Sequence, residues 1–322
     1  MKQSTESTQA TESNTPPFRW AVLGAGDVCR RKSGPALAGV QGSKIELVYR
    51  RNSEQARGFV NLVGQGRVAK SLEQILDSKE IHGVYVATPH ELHEEQTLAC
   101  LRAGKHVLVE KPMALNTEGC TRMVEEAHRA GVLLGVAYYR RGYPSIQKIK
   151  AILASGLVGT PVSMALCNEF PTSHRIDLVH YLLGSVAQVR ITGAGNNPFA
   201  PENVQEKIVL RTTSGVEVQM ASGWLETGMA ESLVLRCETG SILLDDLKSG
   251  VLRVQSPNET IQLKVPDLPW THWGIVENFV RAARNGVDLL CSGQEGRKST
   301  VILDFLARAV PGGEPVTVEY PG

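Results

Sequence analysis

The sequence predicts a two-domain chain: an α/β half with a doubly wound parallel sheet, then an α+β half with an open, mostly antiparallel sheet. Two observations carry this. From Phe18 to Val136, short apolar runs alternate with capped, amphipathic stretches. Beyond Tyr143 the pattern turns to alternating polar and apolar residues punctuated by Ser-Gly and Thr-Gly turns. The length, 322 residues, accommodates two cores of ordinary size.

In the first half, Phe18–Leu23 is an apolar run ending at glycine, and a helix can start at Gly26 and continue to Ala38. Ile45–Tyr49 is the next strand, with Ser53 as the expected cap of the following helix and Ser71 as the cap of another. Ile81–Ala87 has the composition of a strand buried on both faces. A helix over Glu91–Ala103 stops at Gly104, His106–Val109 is a strand, Thr117–Ala130 is a helix stopped by Gly131, and Val132–Val136 returns as a strand. Strands alternating with helices in this way imply a parallel sheet wound on both faces. In the second half, a helix over Ser145–Ala154, a strand over Pro161–Cys167 and a helix over His174–Leu183 come first. Five strand-like segments between Glu206 and Gln255 then read as a mostly antiparallel meander. Helices over Ile275–Asn285 and Gln294–Ala309 close the chain. The expected division is a tail over 1–17, a first domain over 18–136 and a second over 137–322.

Apolar residues make up 42% and charged residues 21%, and the net charge is +1, so no global field draws the chain to nucleic acid or an anionic membrane. The longest apolar stretches, such as Gly131–Ala137, fall far short of the roughly 20 residues a membrane span requires. The polar tail lacks the apolar segment of a secretion signal, so disorder there and a cytoplasmic location are expected. Six scattered cysteines without a C-x-x-C pair favour reduced, buried thiols over a zinc site or a disulfide framework. His90 and His93 share helical spacing, but no third ligand is placed to complete a metal site with them.

Chemistry enters with Gly24-Ala25-Gly26-Asp27-Val28-Cys29, which follows the first strand and opens the first helix. Gly24 permits the tight turn, and Gly26 lets the backbone approach a pyrophosphate seated on the N–H groups around Asp27 and Val28. Cys29 stands where glycine or alanine is usual, and a thiol is small enough for the helix–strand contact. This context makes the first domain a Rossmann domain that binds a dinucleotide. An acid ending the second strand would hold a ribose 2′-hydroxyl, but the stretch here is Val48-Tyr49-Arg50-Arg51-Asn52. Two guanidiniums suit a 2′-phosphate, which favours NADP over NAD; the alternative is a pair of exposed arginines. Ala87-Thr88-Pro89, at the carboxyl end of the fourth strand, should supply the other half of the site, or be a plain turn.

The run ATPHELHEEQTLACLRAGKHVLVEKPMAL (Ala87–Leu115) resembles the glucose–fructose oxidoreductase / inositol dehydrogenase / MocA family, and the likeness continues from Phe18 to near the end of the chain. It implies hydride transfer between a nicotinamide and a sugar- or polyol-like alcohol or ketone. It makes Glu110-Lys111-Pro112 the catalytic motif, often with a cis peptide before the proline. An ammonium at Lys111 can hydrogen-bond the oxygen that changes between alcohol and ketone.

The family's second catalytic element is an Asp-x-x-x-His arrangement opening a helix of the second domain. His174 occupies the histidine position, with Asp177 one turn later, but Phe170 stands where the aspartate belongs and the preceding loop is short. A partner for His174 must come from elsewhere, Glu169 or Tyr139 being the candidates. The resemblance also places Tyr139, His93 and Arg141 near cofactor or substrate, although His93 can equally be a helix-face residue packed against the junction and Arg140 can equally pair with a carboxylate at the domain interface. Trp270-Thr-His272-Trp273 is read as core in preference to a cleft lining.

The substrate is expected to be a small molecule, and the open face of the second sheet suggests a homo-dimer or homo-tetramer. Two alternatives stay open: a dinucleotide-sensing protein without turnover, and a reductase of a non-sugar ligand.

Overall fold

The computed structural model describes residues 16–167, 173–192, 206–222 and 231–322; most of the expected tail, and the loop containing Glu169 and Phe170, lie outside these. The first sheet is built from β1 (Phe18–Leu23), β2 (Ser43–Tyr49), β3 (Arg67–Val68), β4 (Gly83–Val86), β5 (His106–Val109) and β6 (Leu134–Val136). Its order is β3-β2-β1-β4-β5-β6, all parallel, so the chain reverses direction between β1 and β4. That switch point is where an open α/β sheet leaves a crevice beyond its carboxyl edge. The helices α1 (Gly34–Gly39), α2 (Ser53–Val63), α3 (Leu72–Asp77), α4 (His93–Arg102) and α5 (Thr117–Ala130) connect the strands.

Local chemistry explains the boundaries. Asn52, not Ser53, caps α2: its Oδ1 accepts the N–H groups of Glu54 and Gln55, which leaves Ser53 inside the first turn. Ser71 caps α3 as expected, accepting from the Gln74 N–H. The first helical run starts at Asp27 and passes through a π-helical turn, Cys29–Ser33, before α1. Gly34 makes this possible, because a Cβ there would lie 2.5 Å from the Cys29 carbonyl and 2.6 Å from the Phe59 ring.

The second half begins with α6 (Pro144–Ser155), β7 (Pro161–Cys167) and α7 (Ser173–Leu183). It continues through β8 (Val186–Ile191), β9 (Glu206–Thr212), β10 (Glu217–Ser222), β11 (Ser232–Cys237), β12 (Ser241–Leu244), β13 (Val251–Gln255) and β14 (Thr260–Lys264). After α8 (Trp273–Asn285) and α9 (Gly293–Arg308), the short β15 (Val316–Thr317) completes one nine-stranded sheet, ordered β14-β13-β12-β11-β7-β10-β9-β8-β15. All pairs are antiparallel except β7 with β10. The expected meander is thus split: β7 inserts between β10 and β11. Its apolar face, including Leu210, Met220, Leu233 and Ile242, is buried.

The closing helices return to the first sheet. Phe279 of α8 sits 5.2 Å, ring to ring, from Trp20 and covers Gly135, where a Cβ would meet its ring at 3.0 Å. The Val136 N–H donates to the Cys291 carbonyl, stitching the start of α9 to β6. The two halves therefore share a packed seam. Among the described residues no helix is long and apolar enough to cross a membrane.

One buried group in that seam makes a testable statement about stability. His180 of α7 is buried with no hydrogen-bond partner on either ring nitrogen, and burial lowers its pKa from 6.5 to about 4. The unfolded chain binds the proton more tightly, so stability is complete above pH 6.5 and falls as pH drops toward 4. The shift corresponds to about 3 kcal/mol. Chemical denaturation of the wild type and His180→Gln across this range should give a steeper loss for the wild type; equal slopes would contradict the assignment.

Candidate active site at the domain seam

The glycine turn, the end of β2 and the end of β4 meet at the switch point. Gly24 has a φ of +94°, and a Cβ on it would stand 2.4 Å from the Ala87 carbonyl oxygen. Glycine is required there by both conformation and space. Its N–H donates to the Tyr49 carbonyl, and the Ala87 N–H donates to Leu23, so the turn is clasped between β2 and β4. Gly26 accepts the first helical bond, from the Arg30 N–H, and Asp27 and Val28 stand exposed at the helix start. Cys29 is buried behind them, its thiol pushed up to about 12 by desolvation, so it packs and does not react. Arg50 lies over the turn, its Nη1 donating to the Ala25 carbonyl at 2.8 Å, and Arg51 is exposed beside it.

Thr88 and Pro89 lead from β4 into α4, and His93 locks this corner. Its Nε2 faces the Thr88 carbonyl at 2.9 Å and its Nδ1 faces the Pro112 carbonyl at 2.8 Å. The ring thus spans the two backbone segments that flank the crevice instead of facing a ligand. Thr88 donates its hydroxyl to Gln96.

At the end of β5 comes Glu110-Lys111-Pro112, with the cis peptide between Lys111 and Pro112. Glu110 is buried and held by three donors. Tyr85 donates its hydroxyl at 2.5 Å, His272 approaches with Nε2 at 3.1 Å, and the Lys111 N–H reaches the second carboxylate oxygen at 3.3 Å. Burial opposes the charge, but His272, Tyr85 and Lys111 outweigh it and bring the pKa down to about 2. Glu110 is therefore ionised. The Lys111 ammonium has no carboxylate within ion-pair reach among the described residues.

His272 arrives from the second half of the chain, at the cap of α8. Its ring lies 4.4 Å from that of Tyr139, which in turn lies 4.6 Å from His174. His174 is buried on the first turn of α7, with Nδ1 unpartnered. Desolvation first, then Arg140, Lys111, His272 and Lys32, hold its pKa well below the ordinary value, so the ring is neutral near pH 7.

Not every expected residue faces this place. Arg141 and Asp177, expected at cofactor and substrate, are buried against each other, with Arg141 Nε 3.0 Å from both carboxylate oxygens and Nη1 donating to the Leu290 carbonyl. This pair ties the junction segment to α7 and to the loop before α9. Arg140 pairs with Glu231 at 2.7 Å, the interface carboxylate foreseen as its alternative. The sequence reading missed Tyr85 and underrated His272. Trp273 does pack inward, against Gly39, while Trp270 is 44% exposed.

Comparison with known proteins agrees with this geometry. Residues 18–138 match the model of the oxidoreductase family with an NAD-binding Rossmann fold. Oxidoreductase P35 of Formosa agariphila is 27% identical over 255 residues, 70% of this chain and 78% of that protein. Inositol 2-dehydrogenase of Streptomyces avermitilis is 28% identical over 324 residues, 93% of this chain and 94% of that protein. An oxidoreductase from Agrobacterium radiobacter, solved with NAD+, L-tartaric acid and magnesium, shares the fold at a TM-score of 0.83 and 18% identity, over 93% of this chain and 98% of that one. Residues 18–138, which hold the glycine turn and the Glu110-Lys111-Pro112 corner, thus match the NAD-binding Rossmann domain of the Gfo/Idh/MocA oxidoreductases, and the relatives extend the likeness into the second half of the chain.

Proposed function

We propose that this chain is an NADP(H)-dependent oxidoreductase moving a hydride between the nicotinamide and a sugar- or polyol-like alcohol or ketone, with Lys111 as its catalytic group. The observation that carries the reading is convergence. Lys111, beyond the carboxyl end of β5, is among the charges that act on His174, on the first turn of α7. Two proton-handling side chains from different halves thus meet above the sheet edge where ligands of such folds sit. The inositol 2-dehydrogenase relative, alike over nearly its whole length, supports a cyclic polyol as the substrate type.

The residues present fit a dinucleotide. A turn with no room for a Cβ at Gly24 leads into a helix start, whose first N–H groups lack intrahelical partners and suit a pyrophosphate. Arg50 and Arg51 flank that turn and suit a 2′-phosphate. Ala87, Thr88 and Pro89 line one side of the nicotinamide position, with Glu110 and Lys111 beyond it. When bound, the cofactor supplies the ring carbon that gives or takes the hydride. Lys111 hydrogen-bonds the substrate oxygen: as an ammonium it stabilises and protonates the developing alkoxide in reduction, and as the neutral amine it accepts the alcohol's proton in oxidation. Neutral His174, with Nδ1 free, accepts a hydrogen bond from a substrate hydroxyl, and Tyr139 forms the wall between it and His272. Arg141 and Asp177 hold the seam instead of touching ligand.

The reading includes self-association through the outer face of the nine-stranded sheet, where Val209, Val234 and Leu243 are only partly covered. Sedimentation velocity should report a dimer or tetramer, and a monomer at micromolar concentration would contradict this part. Cofactor titration of the wild type and of Arg50→Ala with Arg51→Ala tests the nucleotide. NADP affinity should fall about 10–100-fold with little change for NAD, whereas equal losses would remove the 2′-phosphate. Lys111→Ala should keep cofactor affinity and lose about 10²–10⁴-fold in turnover on a polyol panel; a near-normal rate would end its catalytic role.

A further inference from the structure

Glu110 and His272 form a carboxylate–imidazole pair inside a site whose own histidine, His174, lacks a partner on Nδ1. The pair joins residues 162 positions apart and bridges the two halves of the chain. Both side chains are buried, and the family resemblance assigns no chemistry to His272. On the far side of His272, the Tyr139 ring packs against it at a tilt, 4.4 Å between ring centres, and meets His174 edge-on at 4.6 Å. On the near side, Glu110 immediately precedes Lys111 and accepts its N–H.

The donors on Glu110 have a consequence for Lys111. Its carboxylate interacts electrostatically with the ammonium, and an unsatisfied buried carboxylate would draw that ammonium onto itself. With Tyr85 and His272 on one oxygen and the Lys111 N–H on the other, three donors other than the ammonium already satisfy most of the carboxylate. Since an ionised carboxylate only accepts, His272 must donate from Nε2. Its Nδ1 lies 3.2 Å from the Thr271 hydroxyl, which can donate to it.

We propose that His272 is a positioning residue: by donating to Glu110 it keeps that carboxylate from capturing the Lys111 ammonium, leaving the ammonium free for the substrate oxygen. His272 lies in the second half of the chain and packs against Tyr139, so this release depends on the packed seam. The inference rests on the hydride-transfer reading above and assigns that site a residue the reading does not use. The groups facing Glu110 are Tyr85 from β4, Cys29 from the π-helical turn, His93 from α4, His272 ahead of α8, and Lys111 itself.

The test is steady-state polyol oxidation by the full chain with NADP, from pH 6 to 10, for the wild type, His272→Leu, His272→Gln and Glu110→Gln. Leucine removes the donor, so kcat at neutral pH should fall about tenfold or more and the acid limb of kcat should move up by about one pH unit, a factor of ten in proton affinity. KM for NADP should stay within about twofold, because the donor acts on the lysine and not on cofactor binding. Glutamine keeps an N–H donor and should restore most of the rate and the wild-type limb. Glu110→Gln removes the anion and should move the limb the other way, which keeps the test intact should the leucine variant fail to fold. Equal losses for leucine and glutamine with an unmoved limb, or an unmoved limb in Glu110→Gln, would overturn the proposal. A wild type without turnover on any polyol, while still binding NADP, would instead count against the functional reading.

Discussion

Keeping one carboxylate ionised inside the protein is the constraint on which the site depends. A buried, unpaired carboxylate costs several kcal/mol, so Glu110 remains an anion only because donors surround it. Those donors come from three places: Tyr85 on the neighbouring strand, His272 from the far half of the chain, and the backbone of Lys111. The fold supplies all three. β4 and β5 are adjacent and parallel, which puts Tyr85 beside the strand that ends at Glu110, and α8 returns to the first sheet, which brings His272 in from above. Packing of Phe279 against Trp20 and Gly135 thus positions chemistry that lies at the other end of the same helix.

Around that anion the seam is held by charge pairs of unequal burial. Arg141–Asp177 is fully buried and bidentate, while Arg140–Glu231 is more open on the carboxylate side. Removing one partner of the buried pair would strand a charge, a far larger loss than an exposed ion pair contributes. The seam is therefore rigid at its base. Nearer the crevice, polar groups are left with spare capacity: among the described residues the Lys111 ammonium has no carboxylate within ion-pair reach, and His174 Nδ1 has no hydrogen-bond partner.

What the sequence disclosed follows from how local the signals are. The glycine turn, the stop at Gly131, the strand His106–Val109 and the Glu110-Lys111-Pro112 corner are contiguous, and each was legible from neighbouring residues. The cap of α2 was misplaced by one position, because Asn52 and Ser53 are both good caps and only geometry decides between them. Strands β3 and β15 are two residues long, and β14 has no buried face, so periodicity had nothing to grip. The sequence showed Arg140-Arg141 as a pair of cations near ligand but could not show which carboxylates would meet them. His272 was harder still. Its value depends on a hydrogen bond to a residue 162 positions away, and no local pattern encodes that.

The ionised state of Glu110 can be observed directly. Carbon-13 NMR of the side-chain carboxyls of glutamate-labelled protein, with the Glu110 signal assigned by its loss in Glu110→Gln, would follow that single group through acid titration. The account predicts a carboxylate shift that stays constant from neutral pH down through the ordinary glutamate range and changes only toward about 2. A carboxyl that titrates at or above the usual glutamate value of 4.5 would contradict it. The buried anion, and with it the arrangement around Lys111, would then have to be abandoned.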